Sequence, residues 1–435
     1  MPEVTTLELS GLFAALDDPV LNSMNFLNEI ANRYPAAISL AAGRPSEQTF
    51  DLGLFDRYVR RFCRYLQEDL GQSEEQVRRT LFQYGRTKGI VHGLIADNLA
   101  RDEGLTVDPE SIVVTVGCQE AMYLVLRALR RDADDVLFTV APTYVGLTGA
   151  ARLAELPVWQ VDSGADGVNL ADLRVKLDRA RNEGLRPRAL YVMPDFANPS
   201  GMSMTEAHRQ ALLDLAVTEN LLLLEDNPYG LFGQELADRV PTLKALDRTR
   251  QVVYLGSFAK TALPGARVGY VIGDQAVRDS AGNIGLFADE LAKIKSMLTV
   301  NTSPITQAVV GGKLLDNDGS LITATAADRD VYRTNLRLLV DGVRRRFPGG
   351  EHGVTVNEPT GGFFVVVTVP FPVDDALLER SAADFGVLWT PMHHFYEAGV
   401  AINSLRLSCS VVTAEQIEDG LDRLAAFIRS VVAPA

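Results

Sequence analysis

The sequence predicts an α/β fold. A large domain carries a mainly parallel sheet sandwiched by helices, and a smaller α+β domain completes the chain. Three observations carry this expectation. Short apolar runs recur along the middle of the chain, each ending in a loop that bears Gly, Pro or Asn and leading toward a helical stretch. These runs are apolar throughout, as befits strands buried on both faces, and alternation of strands with helices favours parallel pairing. The C-terminal part then changes character, with strand-like segments set apart from helices. At 435 residues the chain is long enough for two cores.

In chain order, residues 1–55 read as an arm that belongs with the small domain. They contain a strand-like Ala37-Ile38-Ser39-Leu40 that runs into Ala41-Ala42-Gly43. Residues 56–315 form the large domain. The run Ile112–Val116 leads into Gly117-Cys118-Gln119 and a helix through Leu129, and the run 136–140 leads into Ala141-Pro142-Thr143-Tyr144. Residues 190–193 precede Pro194-Asp195-Phe196-Ala197-Asn198-Pro199, and a leucine run over 221–224 precedes Glu225-Asp226-Asn227-Pro228-Tyr229. Residues 252–255 precede Gly256-Ser257-Phe258-Ala259-Lys260. In the small domain, residues 316–435, strands are expected over 361–367 and 404–408. A last helix over 413–431 places Ile417, Leu421, Leu424 and Phe427 on one face.

The balance of charge excludes several functions. The formal net charge is −14 and the pI about 4.9, so anionic nucleic acid and anionic lipid are disfavoured partners. No apolar run approaches the roughly 18–20 residues of a membrane span. Met1-Pro2-Glu3-Val4 offers neither the basic region nor the apolar core of a signal peptide. Cys63, Cys118 and Cys409 are too scattered for a disulfide framework or a zinc cluster. The expectation is a cytoplasmic protein without metal.

Ligands of open α/β sheets sit beyond the carboxyl ends of the strands. Gln119, Tyr144, Asn198, Asp226, Tyr229, Ser257 and Lys260 all fall there. A lysine one step past a buried strand either reaches solvent or performs Schiff-base chemistry, which needs an amine that can be neutral near pH 7. Arg267, in Pro264-Gly265-Ala266-Arg267-Val268-Gly269, is a cation able to hold a phosphate beside it, and the two glycines would let backbone approach a ligand. Asp226 would either cap a helix or keep a ring nitrogen protonated. Asn198 and Tyr229 could hydrogen-bond a ring oxygen, although Asn198-Pro199-Ser200-Gly201 is also a good turn. Tyr144 could stack on a cofactor ring or fill the core. Gly117-Cys118-Gln119 at a helix start is a plausible phosphate seat.

Taken in order, Gly117-Cys118-Gln119, Tyr144, Asn198-Pro199-Ser200-Gly201, Asp226-x-x-Tyr229, Ser257-x-x-Lys260-x6-Arg267-x-Gly269 and Arg406 resemble the fold-type I pyridoxal 5'-phosphate (PLP) aminotransferases of classes I and II. The kynurenine/α-aminoadipate branch is the nearest subgroup. The resemblance implies that Lys260 forms the Schiff base and moves the proton between Cα and C4', with Asp226 and Tyr144 completing the catalytic set. It further implies that Asp226 pairs with the pyridine nitrogen, Asn198 and Tyr229 with the ring oxygen, and that Tyr144 stacks. Ser257, Arg267 and the backbone of Cys118 and Gln119 would hold the phosphate. Arg406 would grip the substrate carboxylate, with Gly43 and Asn198 on the substrate side. Tyr84 matches a tyrosine that reaches the partner's phosphate across a homodimer.

There are departures from the family pattern. Cys118 stands where a smaller residue is usual. Met392 replaces a glycine before His393 and His394, a pair that is either a solvated loop or part of the substrate pocket. A narrower likeness, carried by Met24-Asn25-Phe26-Leu27-Asn28-Glu29 and the stretch 38–45, is to the actinobacterial 3,5-dihydroxyphenylglycine transaminases of antibiotic pathways. It implies amination of an arylglyoxylate by an amino-acid donor. A broad aromatic or α-aminoadipate transaminase is the alternative, and a cyclase, lyase or oxidase on the same fold a further one. A DNA-binding regulator is disfavoured by the net charge. The chain also lacks the glycine fingerprints of dinucleotide and P-loop sites.

Overall fold

The computed structural model of the chain describes residues 5–397 and 399–432. Met1 to Val4, on which the reading of the N-terminus rests, lie outside them. An eight-stranded sheet runs through the middle of the chain. Its strands are β2 (Ile112–Val116), β3 (Asp135–Ala141), β4 (Val158–Gly164), β5 (Gly167–Val168), β6 (Arg186–Val192), β7 (Leu222–Asp226), β8 (Val252–Ser257) and β9 (Val268–Ile272), following β1 (Ile38–Ser39) in the N-terminal arm. The spatial order is β2-β9-β8-β7-β6-β3-β4-β5. From β8 through β4 every pairing is parallel, whereas β9 runs antiparallel to both β2 and β8, and β5 is antiparallel to β4.

The core strands follow from composition. Val252, Val253, Tyr254 and Leu255 are all buried, and so are Leu223, Leu224, Glu225 and Asp226, because helices cover both faces. On one face the helix Gly117–Leu129 packs Ala121, Leu124 and Val125 with Val113, Leu255 and Val271. On another, Phe62, Leu66 and Leu314 meet Val114, Tyr254 and Tyr270. The expected strands at 112–116, 136–140, 190–193, 221–224 and 252–255 are all present to within a few residues. Residues 268–272, for which no strand was expected, form β9, because Val268, Tyr270, Val271 and Ile272 fit a doubly covered position between β2 and β8.

A hairpin of β10 (Ala276–Arg278) and β11 (Ile284–Leu286) follows. A second sheet combines β12 (Thr355–Val356), β13 (Phe364–Thr368), β15 (Thr390–Pro391) and β16 (Ser404–Ser408) in the order β12-β13-β16-β15. The arm strand β1 pairs in parallel with β14 (Val387–Leu388), so the arm joins the C-terminal elements. One apolar cluster ties these together: Leu40 of the arm, Phe363 and Phe364, Trp389, and Ile417, Leu421, Leu424 and Phe427 of the helix Ala414–Val432. Among the described residues no helix is long and apolar enough to cross a membrane.

Candidate active site

A cavity of about 650 Å³ opens where the carboxyl ends of β6, β7 and β8 face the arm and the second sheet. Its lining includes Gly43, Cys118, Gln119, Tyr144, Asn198, Asp226, Tyr229, Ser257, Lys260, Arg267 and Arg406. All the predicted site residues except Tyr84 therefore meet in one place, from segments that lie up to 363 positions apart in the chain between Gly43 and Arg406. Tyr84 is 86 % exposed and does not line the cavity.

Lys260 follows β8, and its Nζ donates to the carbonyl of Gly43 at 2.7 Å. Its pKa falls from 10.5 to about 8, chiefly because the ammonium loses water, and then because Arg406 and Arg267 repel it; Asp226 opposes this. The resulting amine is poised near neutral pH, as a nucleophile and proton carrier must be. A side chain on Gly43 would collide with Phe364, since a Cβ there would stand 2.6 Å from Phe364 Cζ. That close approach is what brings the carbonyl within reach of Lys260.

Asp226 is the last residue of β7 and is buried. Burial raises its pKa from 3.8 to about 6, while the hydroxyl of Tyr191 (2.6 Å) and the thiol of Cys118 (3.6 Å) donate to it and favour its charged form. It caps no helix. A buried carboxylate with two donors on its far side and open space in front is suited to receive a protonated ring nitrogen. Tyr191 was not singled out from the sequence, where it sits inside an apolar run. Burial, and after it the neighbouring Asp226 carboxylate, push the Cys118 thiol well above its ordinary pKa, so it is a poor nucleophile toward an aldehyde.

The helix Gly117–Leu129 begins at the cavity wall, presenting its free N–H groups and positive dipole end. Gly117 has φ +69°, and a Cβ built on it would lie 2.4 Å from Nη2 of Arg267, so the guanidinium lies against this turn. Arg267 itself is held at φ 51°, ψ 50°, a left-handed conformation uncommon for a side-chain-bearing residue. The Gln119 amide donates to the carbonyl of Gly146 at 2.5 Å, and Ser257 Oγ accepts from the N–H of Ala259 at 3.2 Å. Gly269 does not face the ligand space as expected. A Cβ there would meet the backbone of Gly117, Cys118 and Gly256 at 2.6–3.0 Å, so this glycine lets β9 pack against the phosphate-seat turn.

Arg406, on β16, is buried. Its Nη1 donates to Asn198 Oδ1 at 2.6 Å, and its Nη2 to the Ala41 carbonyl at 2.9 Å and Thr390 Oγ1 at 3.0 Å. Its Nε is buried without a partner, and its guanidinium lies 4.2 Å from the Phe364 ring centre and 5.2 Å from that of Phe395. An oriented cation with an unsatisfied buried donor is built for an anion. Tyr144, its pKa pushed up to about 12 by burial, and Tyr229, also raised by burial, keep their hydroxyls protonated and able to donate. Val20, Leu21, Ile30 and Ala31 of the helix Pro19–Arg33 and Leu153 form an apolar wall on the outer side. His393 and His394 do not line the cavity.

The family model for aminotransferase class I and II matches residues 64–424. An (S)-3,5-dihydroxyphenylglycine transaminase from Amycolatopsis orientalis is 56 % identical over 424 residues, covering 98 % of this chain and 95 % of that protein. Among solved structures, a kynurenine aminotransferase of Pyrococcus horikoshii, in complex with PMP, is 26 % identical with a TM-score of 0.81, covering 98 % of this chain and 99 % of that one. An α-aminoadipate aminotransferase of Thermus thermophilus, complexed with N-(5'-phosphopyridoxyl)-L-leucine, is also 26 % identical, with a TM-score of 0.76 and the same coverage.

Proposed function

The chain belongs to the aminotransferase class I and II family and is a PLP-dependent transaminase, and we propose that it interconverts an arylglyoxylate and an L-arylglycine such as 3,5-dihydroxyphenylglycine, with a second amino acid as amino donor. The observation that carries this reading is the 56 % identity, spread over 98 % of the chain, to a transaminase of that name. The apolar residues of the cavity lining support it, since an aryl group attached directly to Cα needs an uncharged surface.

The residues of the cavity fit PLP. A phosphate would be held by Arg267, Ser257 and the N–H groups of Cys118 and Gln119, at the helix start that Gly117 keeps clear. Asp226 would hold the ring nitrogen, Asn198 and Tyr229 the ring oxygen, and Tyr144 the ring face. When bound, the cofactor supplies an electron-accepting ring. Lys260 would hold its carbonyl carbon and, when released by the incoming amino group, would take the Cα proton and deliver it on the other side of the transfer. Arg406 fixes the substrate carboxylate, so that Cα stands within reach of Lys260 in both half-reactions. We read residues 56–315 as the unit that carries the cofactor, with 1–55 and 316–435 closing on it.

The protein would act as a cytoplasmic homodimer in which Tyr84 reaches the neighbouring site. Phe82, Tyr84, Met297, Val300 and Ile305, large apolar or aromatic side chains left exposed in the single chain, support this. The test of substrate is a spectrum of the holoenzyme with (S)-3,5-dihydroxyphenylglycine, glutamate, tyrosine and α-aminoadipate in turn. Fastest loss of the visible cofactor band with the arylglycine is expected. A response to α-aminoadipate or tyrosine but none to the arylglycine would replace this reading with that of a broad aromatic or α-aminoadipate transaminase, which the two structural neighbours favour.

A further inference from the structure

Outside the cavity, three side chains converge that the transamination chemistry leaves unused. His393 and His394 follow Pro391 in a short turn, and Asp375 opens the helix Asp375–Arg380. The two imidazoles lie close and tilted, 4.1 Å between ring centres and 34° between planes, and both Nε2 atoms address the same carboxylate oxygen. His394 Nε2 is 2.8 Å from Asp375 Oδ1 and His393 Nε2 is 3.6 Å from it. The far nitrogens are already engaged: His393 Nδ1 meets the Val373 carbonyl at 3.3 Å, and His394 Nδ1 meets Ser23 Oγ at 3.0 Å.

We propose that Asp375, His393 and His394 form a binding site for a borderline divalent transition metal, of which Zn²⁺ is the model, with Nε2 of each histidine and one oxygen of Asp375 as ligands. The geometry is that of half-assembled coordination. All three donor atoms fall within 4.8 Å of one another. Bonds of 2.0–2.1 Å to nitrogen and oxygen make the edge of a tetrahedron about 3.4 Å, which the 3.6 and 2.8 Å separations bracket. A ligating imidazole ordinarily has its other nitrogen tied to a carbonyl or hydroxyl, which fixes the ring, and both do here. Two nitrogens and one carboxylate suit Zn²⁺, Co²⁺ or Ni²⁺ rather than Mg²⁺ or Ca²⁺, which prefer all-oxygen shells. His394 is 7 % exposed, while His393 and Asp375 are 31 % and 43 % exposed, so a fourth ligand can be water.

The site would staple three elements, two of which border the substrate cavity. Through Ser23 it touches the helix Pro19–Arg33, whose residues form the apolar wall. Through the turn it adjoins Phe395, which packs under Arg406 and whose carbonyl accepts from the N–H of Thr143 at 2.8 Å.

The test uses holoenzyme freed of chelator and unbound cofactor, titrated with Co²⁺, whose tetrahedral complexes absorb at longer wavelength than the cofactor. One equivalent per chain, displaced by Zn²⁺, is expected, together with a rise in Tm on adding Zn²⁺. His393→Ala should abolish both signals. Asp375→Asn, which keeps the shape of the side chain, should weaken Co²⁺ at least tenfold with the far-UV spectrum unchanged. Absence of a Co²⁺ band in the wild type, or a band of equal affinity in His393→Ala, would overturn the proposal. Because binding is read directly, this result is independent of which substrate the enzyme takes.

Discussion

Replacing Lys260 with methionine should make the cofactor-free protein more stable at neutral pH, even as it removes the residue on which turnover depends. The lysine's pKa is 10.5 in an unfolded chain and about 8 in the folded one, so folding disfavours the protonated form by about 3 kcal/mol. Methionine has a similar reach and no charge to strip of water. Its gain is offset by the lost hydrogen bond to the Gly43 carbonyl, worth about 1.5 kcal/mol for a charged donor. The net expectation is about 1–2 kcal/mol of added stability at pH 7. The sign of the pH dependence is fixed by linkage. Between pH 8 and 10.5 the unfolded wild type binds more protons at this site than the folded, so its stability rises with pH across that window and is flat below it. The advantage of the variant therefore shrinks from pH 8 upward, and by about pH 10.5 it gives way to the lost hydrogen bond. Urea unfolding of both cofactor-free proteins at pH 7 and at pH 10 measures the difference. A variant less stable than wild type at pH 7, or a difference that is the same at both pH values, would refute the reasoning.

Three further substitutions separate the parts of the site. Gly117→Ala forces a Cβ to within 2.4 Å of Arg267 Nη2 at a φ of +69°, so PLP affinity should fall about 10–100-fold, about 1.4–2.7 kcal/mol, in a fluorescence-quenching titration of the cofactor-free protein. Tyr191→Phe removes the 2.6 Å donor to Asp226, whose pKa, already about 6, should rise by about one further unit. Cofactor binding would then be lost at correspondingly higher pH as the solution is acidified, and an unchanged pH profile would count against Tyr191 as a positioning residue. Arg406→Lys keeps a positive charge but not the fork that now spans Asn198, Ala41 and Thr390. It should lower kcat/KM about 100-fold for every reactive amino acid, about 2.7 kcal/mol, while leaving the visible cofactor spectrum of the resting enzyme in place.

What was legible in the sequence, and what was not, divides along a physical line. Asp226 announces itself because it ends a run of buried strand residues and Lys260 because it follows closely on another, where a charge is costly unless it serves a purpose, and strand ends are where α/β sheets bind ligands. The doubly buried strands were readable for the same reason: their apolar runs do not depend on what lies across from them. β4 was missed because Val158-Trp159-Gln160-Val161-Asp162 carries polar residues toward the sheet margin, so it lacks the continuous run of its neighbours. β9 was hidden behind Pro264 and Gly265, whose turn signal spilled over residues that belong to a strand. Tyr191 points to a different limit. On a strand covered on both faces the apolar pattern has no period, so nothing distinguishes a tyrosine filling the core from one whose hydroxyl braces the catalytic carboxylate. The Asp375, His393 and His394 cluster goes further still, since two neighbouring histidines and an aspartate 18 residues before the first match no ligand spacing. Only the return of the chain toward β15, which sets the turn after Pro391 against the helix that Asp375 opens, brings them onto one oxygen atom. Residues whose role is set by their own segment can be found before the fold is known; those whose role is set by another segment's approach cannot, and in this protein the groups that position the chemistry fall mostly in the second class.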